Sequence, residues 1–234
     1  MFVGCLQDPI GKDGMKFFID SANALEIQSA LAMGASGITT NPSSFAKEYP
    51  GANVANFVDH VDAFIVLVPV GAPVSIQPPV NTAKQLELVG CSIAQRPHRL
   101  NVLIKVPATI VGMTACKALV KHGIKTNVTL VFNVAQAMLA ADVGATIVSA
   151  FVARSDDKSP GSGRDLIYMI RNEFDRHGCR DTKLLAASLR ESKHVMQAIN
   201  AGADICTMGL PLMTALLNEP QTNVGLEDFL KPWK

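Results

Sequence analysis

The sequence predicts an α/β fold, a single (β/α)8 TIM barrel with extra terminal helices, on three observations. Short runs of apolar and β-branched residues alternate with longer segments of helical spacing, and the alternation continues through eight strands. The 234 residues are roughly what such a barrel needs. No G-x-G-x-x-G or P-loop pattern follows any strand, which counts against the runner-up, an open doubly wound sheet with a nucleotide site.

Taken in order, Met1–Gly14 mixes Gly4, Pro9, Gly11 and Gly14 without periodicity, and a second methionine, Met15, follows at once. It reads as a non-catalytic N-terminal extension (residues 1–14), leaving residues 15–234 for the barrel. Lys16–Ile19 is the first expected strand. Ser21–Met33 is the first helix, with apolar residues at Ala22, Leu25, Ile27, Ala30 and Leu31 and a stop at Gly34. Gly37–Thr40 follows as a strand closed by Asn41-Pro42, with Ser43 placed to cap the next helix. Val54–Val70 starts as a helix and turns ambiguous from Phe64. Val74–Gln77 is the third strand and Thr82–Ile93 a helix. The fourth strand runs through Val102, Leu103, Ile104, Lys105 and Val106 to Pro107, which cannot donate to a ladder; the helix Ile110–His122 follows. Ile124–Leu130, Thr146–Phe151, Lys183–Ala187 and Asp204–Met208 complete the strands, with helices at Asn133–Asp142, Asp165–His177 and Glu191–Asn200 between them. Ser155–Arg164 reads as a polar, Gly-rich loop, and Pro211–Asn218 and Leu226–Trp233 as terminal helices.

Composition narrows the function classes. Hydrophobic residues make up 48% and charged residues 18%, enough for a sizeable core. A formal net charge of +1 offers no general attraction to nucleic acid or an anionic membrane, so any bound anion needs a local site. The longest apolar stretch, Ala63–Val70, is far too short to span a bilayer, and the N-terminus lacks the pattern of a signal peptide. The five cysteines (Cys5, Cys91, Cys116, Cys179, Cys206) are odd in number, scattered and without a C-x-x-C pair. That argues against a disulfide framework or zinc site and for buried thiols in a reducing cytoplasm. The histidines (His60, His98, His122, His177, His194) show no metal-ligand spacing and are expected at the surface or its boundary.

In this fold the chemistry gathers where strands end. Asp20 ends the first strand, Thr39-Thr40-Asn41 the second and Gln77 the third. Lys105 lies in the fourth, Asn127 and Thr129 in the fifth, Ser149 in the sixth with Arg154 beyond it, and Ser188 and Arg190 follow the seventh. Lys16, Lys125 and Lys183 stand at strand starts and read as solvated charges on the opposite face. Lys105 is the exception: desolvation lowers an amine's pKa, and a neutral amine attacks carbonyls to form a Schiff base. The competing reading is a lysine that snorkels outward or pairs with a buried carboxylate. Asp20 is a candidate proton carrier or a helix cap; Gln77, Asn127 and Thr129 could hold water and hydroxyls. Asn41 is a candidate ligand or only a turn residue. Arg154, Ser188 and Arg190 could hold an anion such as phosphate, unless Arg154 pairs with Asp156 or Asp157.

Six stretches then stand out in order: Phe17-Phe-Ile-Asp-Ser-Ala22, Gly37-Ile-Thr-Thr-Asn-Pro-Ser43, Ile104-Lys-Val-Pro-Ala-Thr109, Asn127-Val-Thr-Leu-Val-Phe132, Ser149-Ala-Phe-Val-Ala-Arg154 and Leu185-Ala-Ala-Ser-Leu-Arg190. Together they resemble the transaldolase family, and more closely its short branch, which includes fructose-6-phosphate aldolase. The resemblance implies a dihydroxyacetone unit carried between sugar phosphates of the non-oxidative pentose phosphate pathway. These would be sedoheptulose 7-phosphate with glyceraldehyde 3-phosphate, and erythrose 4-phosphate with fructose 6-phosphate. It implies Lys105 as the Schiff-base residue, Asp20 as the proton carrier, and Gln77 and Thr129 as holders of the catalytic water. Thr39, Asn41, Asn127, Ser149 and Phe151 would line the substrate, and Arg154 and Ser188, with Arg190 assisting, would bind its phosphate. No metal or organic cofactor is implied, because the imine is the electron sink. Short members form pentamers or decamers, which would give the apolar tail residues Leu226, Phe229, Leu230 and Trp233 a partner; the alternative is a tail folded back on its own barrel.

Two positions give opposite signals. Transaldolases resembling this chain carry Glu where it has Gln77, and the aldolase branch carries Tyr where it has Phe151. A glutamine orients water but cannot exchange its proton, and a phenylalanine adds no hydroxyl beside it. The sequence thus favours transfer over release of free dihydroxyacetone by a narrow margin, and a non-catalytic binding barrel is the third reading.

Overall fold

Eight parallel strands pair in chain order, and the last closes on the first to make a barrel. A computed structural model of the chain describes residues 14–66, 68, 71–96 and 101–233. The expected extension (apart from Gly14), Cys5 and His98 lie outside these residues.

The order is β1 (Lys16–Asp20), α1 (Ala24–Ala32), β2 (Gly37–Thr39), α2 (Pro42–Glu48), α3 (Phe57–Ile65), β3 (Val74–Ile76), α4 (Ala83–Ala94), β4 (Val102–Pro107), α5 (Ile110–Lys121), β5 (Thr126–Val131) and α6 (Val134–Asp142). It continues with β6 (Ile147–Phe151), α7 (Val152–Asp156), α8 (Ser162–His177), β7 (Lys183–Ala187), α9 (Ser192–Asn200), β8 (Ile205–Met208), α10 (Leu210–Leu217) and α11 (Pro220–Leu230), then a 3-10 turn at Lys231–Trp233. Many helix starts are written in the sequence. Asn23, Thr82, Thr109 and Asn133 each turn a side-chain oxygen onto a first-turn N–H of the helix that follows.

Three local expectations fail for identifiable reasons. Ser43 does not cap α2. Asn41 does, through the Ser44 N–H, because its backbone is extended and Pro42 has the fixed φ that suits the first helical position. The expected loop Ser155–Arg164 shrinks, since α7 takes its start and α8 its end. The Asp156 carboxylate accepts the Gly163 N–H at 2.7 Å, satisfying an orphan donor of α8 from outside the local sequence. The last helix begins at Pro220 rather than Leu226, with Glu219 capping the Gln221 N–H.

The core has two parts. Most buried apolar side chains lie between strands and helices, among them Ile19, Ile38, Ile104, Val128, Val148, Ala186 and Cys206 on the strands. The second cluster fills the bore: Phe18, Leu103, Ile147, Leu185 and Ile205. Strand side chains alternate faces, so a residue two further along points into the same bore. Those residues are Asp20, Lys105, Ser149, Ala187 and Thr207. An apolar floor therefore carries a largely polar second layer, built from the same strands. Gly37 is needed at floor level because a Cβ there would overlap the Phe18 ring.

Outside the barrel, α11 buries no side chain, and Phe229 and Trp233 are 77% and 87% exposed. Among the described residues no helix is long and apolar enough to cross a membrane.

The turn after β4 tolerates no added bulk. A Cβ on Gly112, in the first turn of α5, would collide with the Pro107 carbonyl oxygen. Gly112→Ala is expected to destabilise the protein by about 1–3 kcal/mol through this overpacking. A denaturant melt with an unchanged m-value and a lowered midpoint is the check; an unchanged midpoint refutes it.

Candidate functional site

Hydrogen bonds between strands that are not neighbours have to cross the bore, and two do so in the second layer. Thr39 on β2 meets Thr207 on β8 at 2.7 Å, with β1 between them. The Asn127 amide on β5 donates to Ser75 Oγ on β3 at 3.0 Å, with β4 between them. The first straddles the Asp20 strand and the second the Lys105 strand.

Lys105 is 5% exposed, and its Nζ donates to the Thr40 carbonyl oxygen at 3.0 Å. A neutral carbonyl compensates an ammonium poorly. Burial pulls the Lys105 pKa below its ordinary value, and the Asp20 carboxylate opposes this with a smaller effect. The side chain neither snorkels to the surface nor makes a direct ion pair among the described residues, so the first sequence reading describes its environment better.

Asp20 does not cap α1, a role taken by Asn23. Its Oδ1 accepts from Thr39 Oγ1 at 2.8 Å. A hydroxyl has one hydrogen. With that hydrogen spent on Asp20, the Thr39–Thr207 bond must be donated by Thr207. The relay Thr207→Thr39→Asp20 fixes the position of the carboxylate.

Asn127 is fully buried with both ends of its amide engaged, as Ser149 Oγ donates to its Oδ1 at 2.7 Å. Ser149 is thus part of the polar layer. Thr129, two residues further on and on the same face of β5, is 1% exposed, and its hydroxyl has no partner. A buried unsatisfied hydroxyl costs about 1–3 kcal/mol. A water or substrate hydroxyl would remove that penalty. Just past Thr129 the β5–β6 register shifts, and Leu130 takes a left-handed φ of 60°.

The remaining expected residues form the rim. Gln77 faces a cleft of about 370 Å³ shared with Pro42, Val54, Val80 and Gln85. Asn41 spends its Oδ1 on the α2 cap, which leaves its amide nitrogen for a ligand. On the opposite side Phe151 packs against the bore cluster and lies tilted against Phe132, with ring centroids 5.6 Å apart. The Arg154 guanidinium lies 5.2 Å above the Phe151 ring. Arg154 is exposed and makes no ion pair with Asp156 or Asp157. Ser188 sits at the end of β7 with φ 59°. Arg190 is already engaged, gripping Asp157 with two bonds of 2.7 and 2.8 Å.

The structure therefore gathers Asp20, Thr39, Lys105, Asn127, Thr129 and Ser149 in the bore, with Asn41 and Gln77 on one lip and Phe151, Arg154 and Ser188 on the other. Sequence reasoning missed Ser75 and Thr207. Their signal was a lone hydroxyl in the apolar runs Val74–Ile76 and Ile205–Met208. It also put His194 at the surface or its boundary, yet it is 8% exposed.

Residues 17–232 match the family model described as transaldolase/fructose-6-phosphate aldolase. The chain belongs to that family. A probable transaldolase of Bartonella henselae is 40% identical over 94% of this chain and 97% of its own length. Those of Syntrophobacter fumaroxidans and Aquifex aeolicus are 41% identical over the same shares. Among solved structures, a 2,3-dimethylmalate lyase of the PEP mutase/isocitrate lyase superfamily superposes with a TM-score of 0.60 at 11% identity, covering 97% of this chain and 84% of its own. That likeness concerns the barrel alone.

The burial of Lys105 has a thermodynamic signature. Its folded pKa lies below the ordinary value of 10.5, so between the two values the unfolded chain binds more protons and stability rises with pH. The penalty is full below the folded pKa and gone above 10.5. Lys105→Met is expected to melt above the parent at neutral pH, by roughly 2–4 °C for each kcal/mol relieved. The gap should close as pH approaches 10.5, which thermal scans across pH will check.

Proposed function

We propose that this family member is a Schiff-base-forming transaldolase. The observation that carries the reading is the Lys105 amine, buried in the bore, lowered in pKa and bonded to one backbone carbonyl. Its Nζ attacks the ketone carbon of a sugar phosphate, and loss of water leaves an iminium. Asp20 takes the proton from the hydroxyl on the carbon that becomes the aldehyde. The neighbouring carbon–carbon bond breaks, and its electron pair enters the iminium. The resulting dihydroxyacetone enamine adds to the carbonyl carbon of an acceptor aldehyde, Asp20 returns its proton to the new alkoxide, and water hydrolyses the iminium to free the new ketose and the Lys105 amine.

The unpartnered Thr129 hydroxyl supports a role in holding that water, together with Gln77. The substrate hydroxyls fall to Asn41, Asn127 and Ser149, and Thr39 and Phe151 shape the walls. Arg154 and Ser188 take the phosphate; Arg190 acts through its grip on Asp157. The substrates proposed are fructose 6-phosphate with erythrose 4-phosphate, and sedoheptulose 7-phosphate with glyceraldehyde 3-phosphate. Phe151 favours transfer because it offers no hydroxyl beside the water that would protonate the enamine and hydrolyse the resulting iminium. Gln77 favours the second reading, an aldolase that releases dihydroxyacetone. The exposed tail residues Phe229 and Trp233 are compatible with a pentamer or decamer, which light scattering will test.

The deciding experiment gives the protein fructose 6-phosphate, with and without erythrose 4-phosphate. Transfer predicts product only with the acceptor, and fast release of free dihydroxyacetone without it sinks the transaldolase reading. Borohydride with substrate should leave an adduct on Lys105, and Lys105→Met should abolish that adduct in a folded protein. A wild-type protein without adduct removes the Schiff base altogether and favours the non-catalytic barrel.

A further inference from the structure

The segment Ser188–Arg190 and the short helix α7 carry the residues assigned to phosphate, and they are laced together at three points. The Ala153 N–H donates to the Ser188 carbonyl at 3.1 Å. The Arg190 guanidinium grips Asp157, a pair 54% and 53% exposed. The third link runs through the His194 ring, which is 8% exposed. The Arg190 backbone N–H donates to Nδ1 of His194 at 3.2 Å, and Nε2 of the same ring lies 3.5 Å from Asp156 and 3.4 Å from Glu191.

This bonding assigns the tautomer. Accepting an N–H requires a lone pair on Nδ1, so in the neutral ring the hydrogen is on Nε2, facing two carboxylates. Asp156 is held in turn, because its other oxygen accepts from the Gly163 N–H at 2.7 Å. One ring thus connects the Ser188–Arg190 turn to the end of α7 and, through Asp156, to the start of α8. The turn needs such a tie. Ser188 sits at φ 59°, where a residue with a Cβ is strained by about 1–3 kcal/mol and stays only if its surroundings over-determine it.

We propose that His194 is a positioning residue for the phosphate end of the substrate. By accepting from Arg190 and donating toward Asp156, it keeps Ser188, on the turn after β7, and Arg154, on α7, at a fixed separation. It touches no substrate atom. The proposal rests on the reading of Arg154 and Ser188 as the phosphate ligands and of Lys105 as the Schiff-base residue.

The test separates phosphate binding from imine chemistry. Free dihydroxyacetone has the ketone but no phosphate, so borohydride trapping of it on Lys105 reports the bore alone. His194→Phe keeps the bulk of a ring and loses both nitrogens. It should trap dihydroxyacetone as the wild type does, while KM for fructose 6-phosphate rises about tenfold, the value of one lost hydrogen bond, with kcat little changed. His194→Asn puts an amide oxygen near the place of Nδ1 and should restore most of the affinity. His194→Gln reaches only the place of Nε2 and should not. The Asn and Gln pair decides the matter if the Phe variant does not fold. Equal KM values for Asn, Gln and wild type overturn the proposal and leave the transaldolase reading standing. A fall in kcat and trapping with KM unchanged also overturns it. Absence of any adduct in the wild type overturns both.

Discussion

A lysine cannot be put into the middle of a packed barrel without consequence. Water is the natural partner of an ammonium group, and Lys105 has one backbone oxygen instead. Much of the site can be read as an answer to this. The Asp20 charge keeps the amine from being wholly destabilised as a cation, and desolvation keeps it from being an ordinary one. A nucleophilic amine needs that balance, since it must lose its proton to attack and then carry positive charge as an iminium. The carboxylate that moderates the amine is also the one proposed above to move the proton.

Hydroxyls and amides do the rest of the positioning. Asp20 is set by a relay from Thr207 through Thr39, and Asn127 is held at both ends by Ser75 and Ser149. These groups are uncharged, so they fix geometry inside a low-dielectric bore without adding further ions that would need partners. Thr129 is the member whose potential is unspent. Such an atom in a native protein asks for an explanation, and a bound water or ligand group is the simplest one available.

The sequence made the barrel legible because strand and helix differ in period, and each β–α unit announces its own start and stop. The polar residues at strand ends, and the family resemblance they carry, were legible for the same reason: Asp20, Lys105, Asn127 and Ser149 stand out against apolar runs. What escaped was made by contacts that no periodicity announces, some of them between residues distant in the chain. Thr207 matters because it meets Thr39 across the bore, 168 residues away in sequence. Ser75 matters because it meets Asn127. Ser155–Arg164 looked like loop because the carboxylate that helps order the start of α8 comes from Asp156, seven residues before Gly163. His194 looked peripheral because nothing local shows that Arg190 and Asp156 close over it. A period can be seen in a string of letters, but a closure cannot.

The apolar floor of the bore has a kinetic consequence. Phe18, Leu103, Ile147, Leu185 and Ile205 are at most 1% exposed, and they block the lower end of the barrel directly beneath Lys105. A compartment closed below has a single mouth. In a transferase built this way, the aldehyde released in the first half-reaction must leave through the opening by which the acceptor enters, while the three-carbon fragment stays tethered to the lysine. Donor and acceptor then never occupy the compartment together. The rate law that follows is ping-pong, with parallel double-reciprocal lines and with each aldehyde competing against the other for the same modified enzyme.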